Sequence, residues 1–560
     1  MGISGLQSNL EPYALQLKAQ ELGGYVACID GPGLAYHAYN LAAAADPARL
    51  PSYRDINATA IRWLKSLEDD SSIKVSAILF DGALPIAKRN ERNERMQQYV
   101  QRMSSFRFNY GTSACPIPRH LGSVLYPLLA PAVREALSGS QYAQVTRNVP
   151  GEADDWIAAF AKGRPRSIVF TSDTDLLLFD YGSEAMVSFF RDATISPMAA
   201  FTVYSPTDIR RRLKLTSLLC LAYALQESYG RSLSENVQKA QSIDTGSATY
   251  LSFIRRYTST VQIPNGLTNP AVLESALQGL DVRVSEFVHQ SLTSDHRNTV
   301  PEVYLPALFE DTKQTSAWNL ARDLRLLAYT LLVPVGCNVV REYTRRGQNP
   351  APSDYQTYSE LEAKAKISAL SIATTKCVGN AEYSPYLQWL LLATQMILRD
   401  LEPPYAFLLA RVLSDKFDQT WEYTHLHARV SATLYSLRIL KQCISVRIAV
   451  NRGREDDFLS EGIQKLHNTF ASFPTIADGF TVPGEVPVTN IDEPVLQEAI
   501  RDLYTSLGIE EKGLFGEAKS RRQRKREKRE EKRGRHAQLQ GQRKTLPQLS
   551  SNSFAVLGPG

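Results

Sequence analysis

The stretch Arg166–Asp180, RSIVFTSDTDLLLFD, decides how this chain is read. Ile168, Val169, Phe170 and Thr171 form a short β-branched and aromatic run of the kind a buried strand uses. Two carboxylates, Asp173 and Asp175, follow just where that strand should stop. Like charges at the end of a buried sheet are unfavourable unless something neutralises them.

The same arrangement recurs upstream. YVACID ends in Asp30, VSAILFD ends in Asp81, and the turn PGEADD supplies Glu152, Asp154 and Asp155. Helical segments lie between: YRDINATAIRWLKSLEDD, a basic helix after FDG, and GEADDWIAAFAKG. This alternation predicts an α/β fold with a mostly parallel sheet. Each strand then delivers a carboxylate to its carboxyl end, the edge at which open α/β sheets bind ligands.

Oxygen ligands without His or Cys select a hard ion, Mg2+ or Mn2+, over zinc. On an extended segment Asp173 and Asp175, two residues apart, project to the same side. Read singly, the acids are ordinary. Asp30-Gly31-Pro32-Gly33 alone is a turn, and Glu152, Asp154 and Asp155 alone complement a helix dipole. Recurrence at four places in one region carries the reading toward a cation site. GPGLAY imitates the start of a dinucleotide fingerprint but lacks its third glycine.

Lys88, Arg92, Arg95 and Arg102 recur along the basic helix as a stripe on one face. Such a stripe suits an anionic backbone; its bland alternative is a solvated surface helix with internal ion pairs.

Charge elsewhere is concentrated in a tail. The net charge is +5, yet Lys519 to Arg535 holds eleven Lys/Arg against three Glu, a local +8 that leaves −3 for the rest. Arg521, Arg522, Arg524, Lys525 and Arg526 form its densest part and suit nucleic acid or a nuclear-import receptor. The composition of residues 511–560 predicts disorder. Its end, LPQLSSNSFAVLGPG, fails as a sliding-clamp box, because Ser551 stands where an aliphatic is needed and Ala555 where a second aromatic is needed.

The most apolar runs, LLAYTLLVPVGC (326–337) and YLQWLLLATQMIL (386–398), fall short of the roughly 20 residues that span a bilayer, so no membrane partner is expected. MGISGL has Leu6 where a myristoylation signal needs Ser or Thr. Six scattered cysteines suggest neither a disulfide framework nor a zinc ribbon, which fits an intracellular protein. The expected location is the nucleus, with the cytoplasm as the alternative. The organisation is an α/β domain over 1–230, a mainly helical region over 231–510 whose protein partners are unknown, and the basic tail over 511–560.

MGISGL, IDGPGLAYHAY, ILFDGALPIAKRNERNER, GEADDWIAAFA and TSDTDLLLFD stand in the order seen in the flap endonuclease/XPG superfamily, and residues 1–230 resemble it. Within that superfamily the Asp-Gly of IDG looks most like the Asteroid branch. The resemblance implies a PIN-like fold. It implies that Asp30, Asp81, Glu152, Asp154, Asp173 and Asp175 are metal-site acids, with Asp154 in place of a second glutamate. Lys88 and Arg95 fall where the family holds the scissile phosphate, and Gly2 would lie near the active site.

Two departures stand out: Ser228 occupies the place of a further acid, with Glu227 one position early, and the DNA-tracking helical hairpin reduces to DTGSATYLSFIRRY (244–257). The implied activity is a structure-specific endonuclease dependent on Mg2+ or Mn2+, two ions in all, acting on DNA in preference to RNA, with DNA repair as its setting. Gly2, Arg92, Arg102 and the tail arginines would then contact nucleic acid. The alternative is a nucleic-acid-binding regulatory scaffold with a vestigial nuclease domain.

Overall fold

The computed structural model describes residues 3, 5–111, 114–164, 166–192, 200–227, 231–257, 270–292, 300–333, 337–379, 382–451, 460–486 and 491–509. Gly2, Ser228 and the tail residues Arg521, Arg522, Arg524, Lys525 and Arg526 lie outside them.

Seven strands form the main sheet: β1 (Leu15–Lys18), β2 (Val26–Asp30), β3 (Lys74–Phe80), β4 (Thr146–Asn148), β5 (Ser167–Thr171), β6 (Met186–Phe189) and β7 (Ala200–Tyr204). Their order is β1-β7-β6-β5-β2-β3-β4. The five strands from β6 to β4 run parallel, and β7 and β1 close one side antiparallel. This is the mostly parallel α/β sheet that the alternating pattern predicts. Successive connections leave β2 in opposite directions, to β3 and later to β5, so the carboxyl end of β2 is a topological switch point.

Strand periodicity divides the core. Ala27, Ile29, Ile168 and Phe170 face one apolar cluster, and Cys28 and Val169 face the other. Helices Gly31–Ala45, Tyr53–Ser71 and Leu129–Ser138 cover the first face. Helix Tyr53–Ser71 starts at a Ser52–Asp55 capping box, worth about 1 kcal/mol, and stops at Ser72 with φ 57°. Between them Ile56, Ala60, Trp63, Leu64 and Leu67 make its buried stripe. Helices Ala153–Lys162 and Leu218–Glu227 cover the second face.

The core does not stop at residue 230. Helices Leu233–Gln241 and Ala248–Ile254 pack into the second cluster, while Val284, Phe287, Leu327, Tyr435 and Leu440 continue the first. Polar ties cross as well: Arg438 pairs with Glu135 at 3.1 Å and Arg107 with Asp311 at 2.6 Å. The mainly helical region also carries a second sheet of β8 (Glu302–Tyr304), β9 (Val339–Arg346) and β10 (Asn349–Gln356). Arg325 anchors β9 through a buried two-point contact to Glu342, at 2.7 and 3.1 Å. All six cysteines are free, and no described helix is long and apolar enough to cross a membrane.

Candidate functional site

Four strand ends meet at the carboxyl edge of the sheet. Asp30 is the last residue of β2 and the N-cap of helix Gly31–Ala45, with Oδ1 accepting from the Gly33 N–H at 3.0 Å. A Cβ on residue 33 would stand 2.4 Å from Asp30 Oδ2, so only glycine lets the helix begin this close to the carboxylate. Asp81 follows β3, and its Oδ1 accepts from the Ala153 N–H at 2.8 Å. Gly82 donates to the Gly151 carbonyl at 2.7 Å, and a Cβ there would meet the Val149 carbonyl oxygen at 2.0 Å. That close approach brings Glu152, the N-cap of helix Ala153–Lys162, beside Asp81. Asp154 and Asp155 occupy its first turn.

Thr171, the buried last residue of β5, ties two of these ends together. Its hydroxyl donates to Asp30 Oδ2 at 2.6 Å and accepts from the Asp173 N–H at 2.9 Å. The sequence reading missed this residue. The signal available was a lone polar side chain closing an apolar strand.

The carboxylates stand in one another's field. Burial pushes the Asp30 carboxyl up to about 6, with Asp81 and Asp173 adding to the rise and Thr171 and Gly33 opposing it. Burial raises Asp154 well above the usual range, reinforced by Asp173, Asp30 and Asp81. Asp81 and Glu152 are also raised by burial; Arg92, Lys88 and Arg95 oppose the first and Lys88 the second.

Two placements differ from the sequence expectation. Asp173 and Asp175 do not lie on an extended segment: Asp173 caps a 3-10 turn, Thr174–Leu178, and accepts from the Asp175 N–H at 3.0 Å. The Asp175 oxygens take the Ile3 N–H at 2.8 Å and the Tyr257 hydroxyl at 3.1 Å, and burial raises this carboxyl with Asp173 adding to the rise. Asp175 therefore ties down the amino-terminal segment. Arg92 and Arg102 also differ from a bare basic stripe, because the fold gives each a partner. Arg92 is ion-paired with buried Glu286, and Arg102 donates to the Leu121 carbonyl at 2.9 Å.

Lys88 ends the turn before helix Arg89–Asn109 and pairs with Glu152, Nζ to Oε2, at 2.6 Å. Arg95 is exposed and near enough to Asp81 to lower it. The donor set is all oxygen, buried and crowded with like charge, which suits a hard divalent ion. Among the described residues, however, no three or more His, Cys, Asp or Glu side chains are grouped so that they could hold one ion. Protein partners set these orientations: Lys88 on Glu152, Ile3 and Tyr257 on Asp175, Gly33 and Thr171 on Asp30.

This fold and its edge of acids define an α/β protein with a mostly parallel sheet and a crowded carboxylate edge. A family model described as "XPG domain containing" matches residues 125–357, about two-fifths of the chain. The match overlaps the motif-bearing region and extends beyond residue 230, as the shared core does. Among solved structures, human GEN1 in complex with Holliday junction DNA is similar over 52% of this chain and 78% of that chain, at 15% identity and a TM-score of 0.31. A comparison with curated proteins returns no match.

Proposed function

We propose that the chain is a divalent-metal-dependent endonuclease that hydrolyses phosphodiester bonds in nucleic acid, DNA in preference to RNA. The observation that carries this reading is the convergence of Asp30, Asp81, Asp154 and Asp173 from separate elements into one electrostatic cluster, with Lys88 and Arg95 beside it. A structural role alone does not call for four acids gathered at one edge, two of which, Asp30 and Asp154, are raised by burial and by the charge of the others. Asp81, Glu152, Asp154 and Asp173 would hold the metal, and a bound divalent ion supplies Lewis acidity and an easily ionised water.

The chain's own residues do the rest. Thr171 holds Asp30 and the Asp173 backbone in place, and Asp175 holds the amino-terminal segment at Ile3. Lys88 and Arg95 would neutralise a phosphate drawn to the edge of the acids.

A second reading, a nucleic-acid-binding scaffold with a vestigial site, is favoured by one specific observation: Lys88 already neutralises Glu152. Incubation of the purified chain with labelled single-stranded, flap and duplex DNA and RNA, with and without Mn2+, separates the two. Cleavage confined to the metal-containing lanes supports the enzyme. Retarded but intact substrate in every lane supports the scaffold.

A further inference from the structure

The opposite edge of the sheet, where the parallel strands begin, carries the reverse charge. Tyr25 stands just before β2 and Arg166 just before β5, and the two strands start side by side. The end of antiparallel β7 reaches the same edge, since Tyr204 pairs with Val187 of β6, and it leads into the helix Pro206–Arg212. Tyr13 arrives there ahead of β1, whose Leu15 pairs with Val203. The segments at this edge, 11–14, 160–166, 180–185 and 206–214, hold seven Lys/Arg against four Asp/Glu.

Three of these arginines lie over aromatic rings. The guanidinium carbon of Arg164 is 4.0 Å from the Phe160 ring centroid, that of Arg212 is 4.7 Å from Tyr13, and that of Arg166 is 5.4 Å from Tyr25. All three side chains are exposed, and the rings beneath them are half-buried. Among the described residues none of the three forms an ion pair, because the neighbouring acids are given to other cations: Asp180 to Lys162 at 2.8 Å, and Asp208 to Arg211. Asp180 also feels Arg210, which places the run Lys162–Arg166 beside the run Arg210–Lys214. A ring under a guanidinium occupies its face and leaves the N–H edge free, so the fork is oriented without an acid to satisfy it. A merely solvated basic surface does not call for three forks fixed in this way.

We infer that this edge is a second surface for nucleic acid, one that holds the phosphate backbone of a duplex away from the acid cluster. It goes beyond the proposed cleavage chemistry and does not depend on it. Strands about 4.8 Å apart spread the row from β7 to β2 over roughly 14 Å. A duplex carries one charge per about 1.7 Å of its axis, so several phosphates fall within that length. The contact is to phosphate oxygens and not to bases, because the ring faces are already covered and the free groups are the planar N–H edges that match phosphate.

The test is fluorescence anisotropy of the full chain with labelled duplex DNA in EDTA, titrated with salt. Wild type is compared with Arg164→Gln/Arg166→Gln/Arg212→Gln, with the corresponding triple Lys variant, and with Lys376→Gln/Arg399→Gln/Lys465→Gln, which removes three exposed cations of the helical region. Each phosphate no longer neutralised lowers the slope of log K against log salt by about 0.9, so the first variant should lose about 2 to 3 in all. The Lys variant and the helical-region variant should keep the wild-type slope. A wild-type slope in the first variant overturns the inference, and so does an equal loss in the helical-region variant, which would reduce the effect to net charge. Loss of binding to a labelled acidic peptide with the duplex slope unchanged would assign the edge to a protein partner and overturn it too. The readout needs no metal: a lowered slope in a chain that cuts nothing overturns the proposed function alone, and metal-dependent cutting by a chain whose slope is unchanged overturns this inference alone.

Discussion

Lys88 Nζ stands 2.6 Å from Glu152 Oε2, so the lysine that opens the basic helix is the counter-ion of the acid that opens the next helix across the site. Both side chains are largely enclosed, which makes the pair stronger than a surface ion pair. A divalent ion taking Glu152 Oε2 as a ligand would displace this ammonium. On the proposed function, metal entry would be coupled to release of a lysine toward the place where a phosphate would bind.

Lys88→Met removes the competitor and keeps the aliphatic stem. Binding of Mn2+ by calorimetry should tighten several-fold, while cleavage at saturating metal should slow because the phosphate loses a cation. Weaker Mn2+ binding in the variant would show that the lysine supports the acids by some other route.

Thr171→Val keeps the shape and removes the hydroxyl that joins β5 to Asp30. Asp30 Oδ2 loses its donor at 2.6 Å and the Asp173 N–H loses its acceptor at 2.9 Å. The cost should be about 1–3 kcal/mol, read as a lower urea midpoint at unchanged m-value. No change in midpoint would mean that another group takes over both bonds.

Much of this site is legible in the sequence, for a physical reason. Asp30, Asp81 and Asp173 each follow an apolar run closely, and a buried strand leaves few places for the next polar residue to go. The ends of β2, β3 and β5 follow from that pattern. Strands β1, β4, β6 and β7 are not legible, because they take their identity from neighbours distant in sequence. The reach of Asp175 is misread from spacing because a 3-10 turn at Thr174 replaces the extended backbone that the spacing implies. The pairing of Arg92 is not legible, because its partner, Glu286, lies 194 residues away. Nothing local in a basic stripe tells which of its charges the rest of the chain will claim.

Far from the site, a chain of three buried groups makes stability depend on pH. His427 Nε2 bonds Thr481 Oγ1 at 3.0 Å, and Thr481 donates to Asp415 Oδ1 at 2.7 Å. Burial lowers His427 to about 4 and raises Asp415 to about 6. The folded state therefore takes up fewer protons at His427 than the unfolded chain, and that contribution is lost as pH falls from about 6.5 toward 4. At Asp415 the sign is opposite: the folded carboxyl keeps its proton, and stability is lost as pH rises from about 3.8 to 6.

Relative to wild type, Asp415→Asn should steepen the loss on acidification between pH 6 and 4, and His427→Gln should flatten or reverse it. Each difference is on the order of 2 kcal/mol across the window. Parallel melting profiles for all three proteins would show that neither group titrates differently on folding.

The tail makes a separate, electrostatic prediction. Deleting Lys519–Lys544 should weaken binding to unrelated sequences alike. It should also flatten the salt dependence, by about 0.9 for every duplex phosphate the tail neutralises, or about 0.7 on single strands. An unchanged slope would leave the tail as a localisation signal or a solubilising segment.

The central claim is that the strand-end acids form a divalent-cation site, and it is tested most directly by calorimetric titration of Mn2+ into the full chain and into Asp154→Asn/Asp173→Asn. Those two acids come from different elements, and Asp173 is the first charged neighbour that raises Asp154. The account predicts saturable binding by wild type, with proton release that scales with buffer ionisation enthalpy, and loss of that binding in a double variant whose melting temperature is no lower than wild type. Wild type that takes up no Mn2+, or a double variant that binds it with the same affinity, would contradict it.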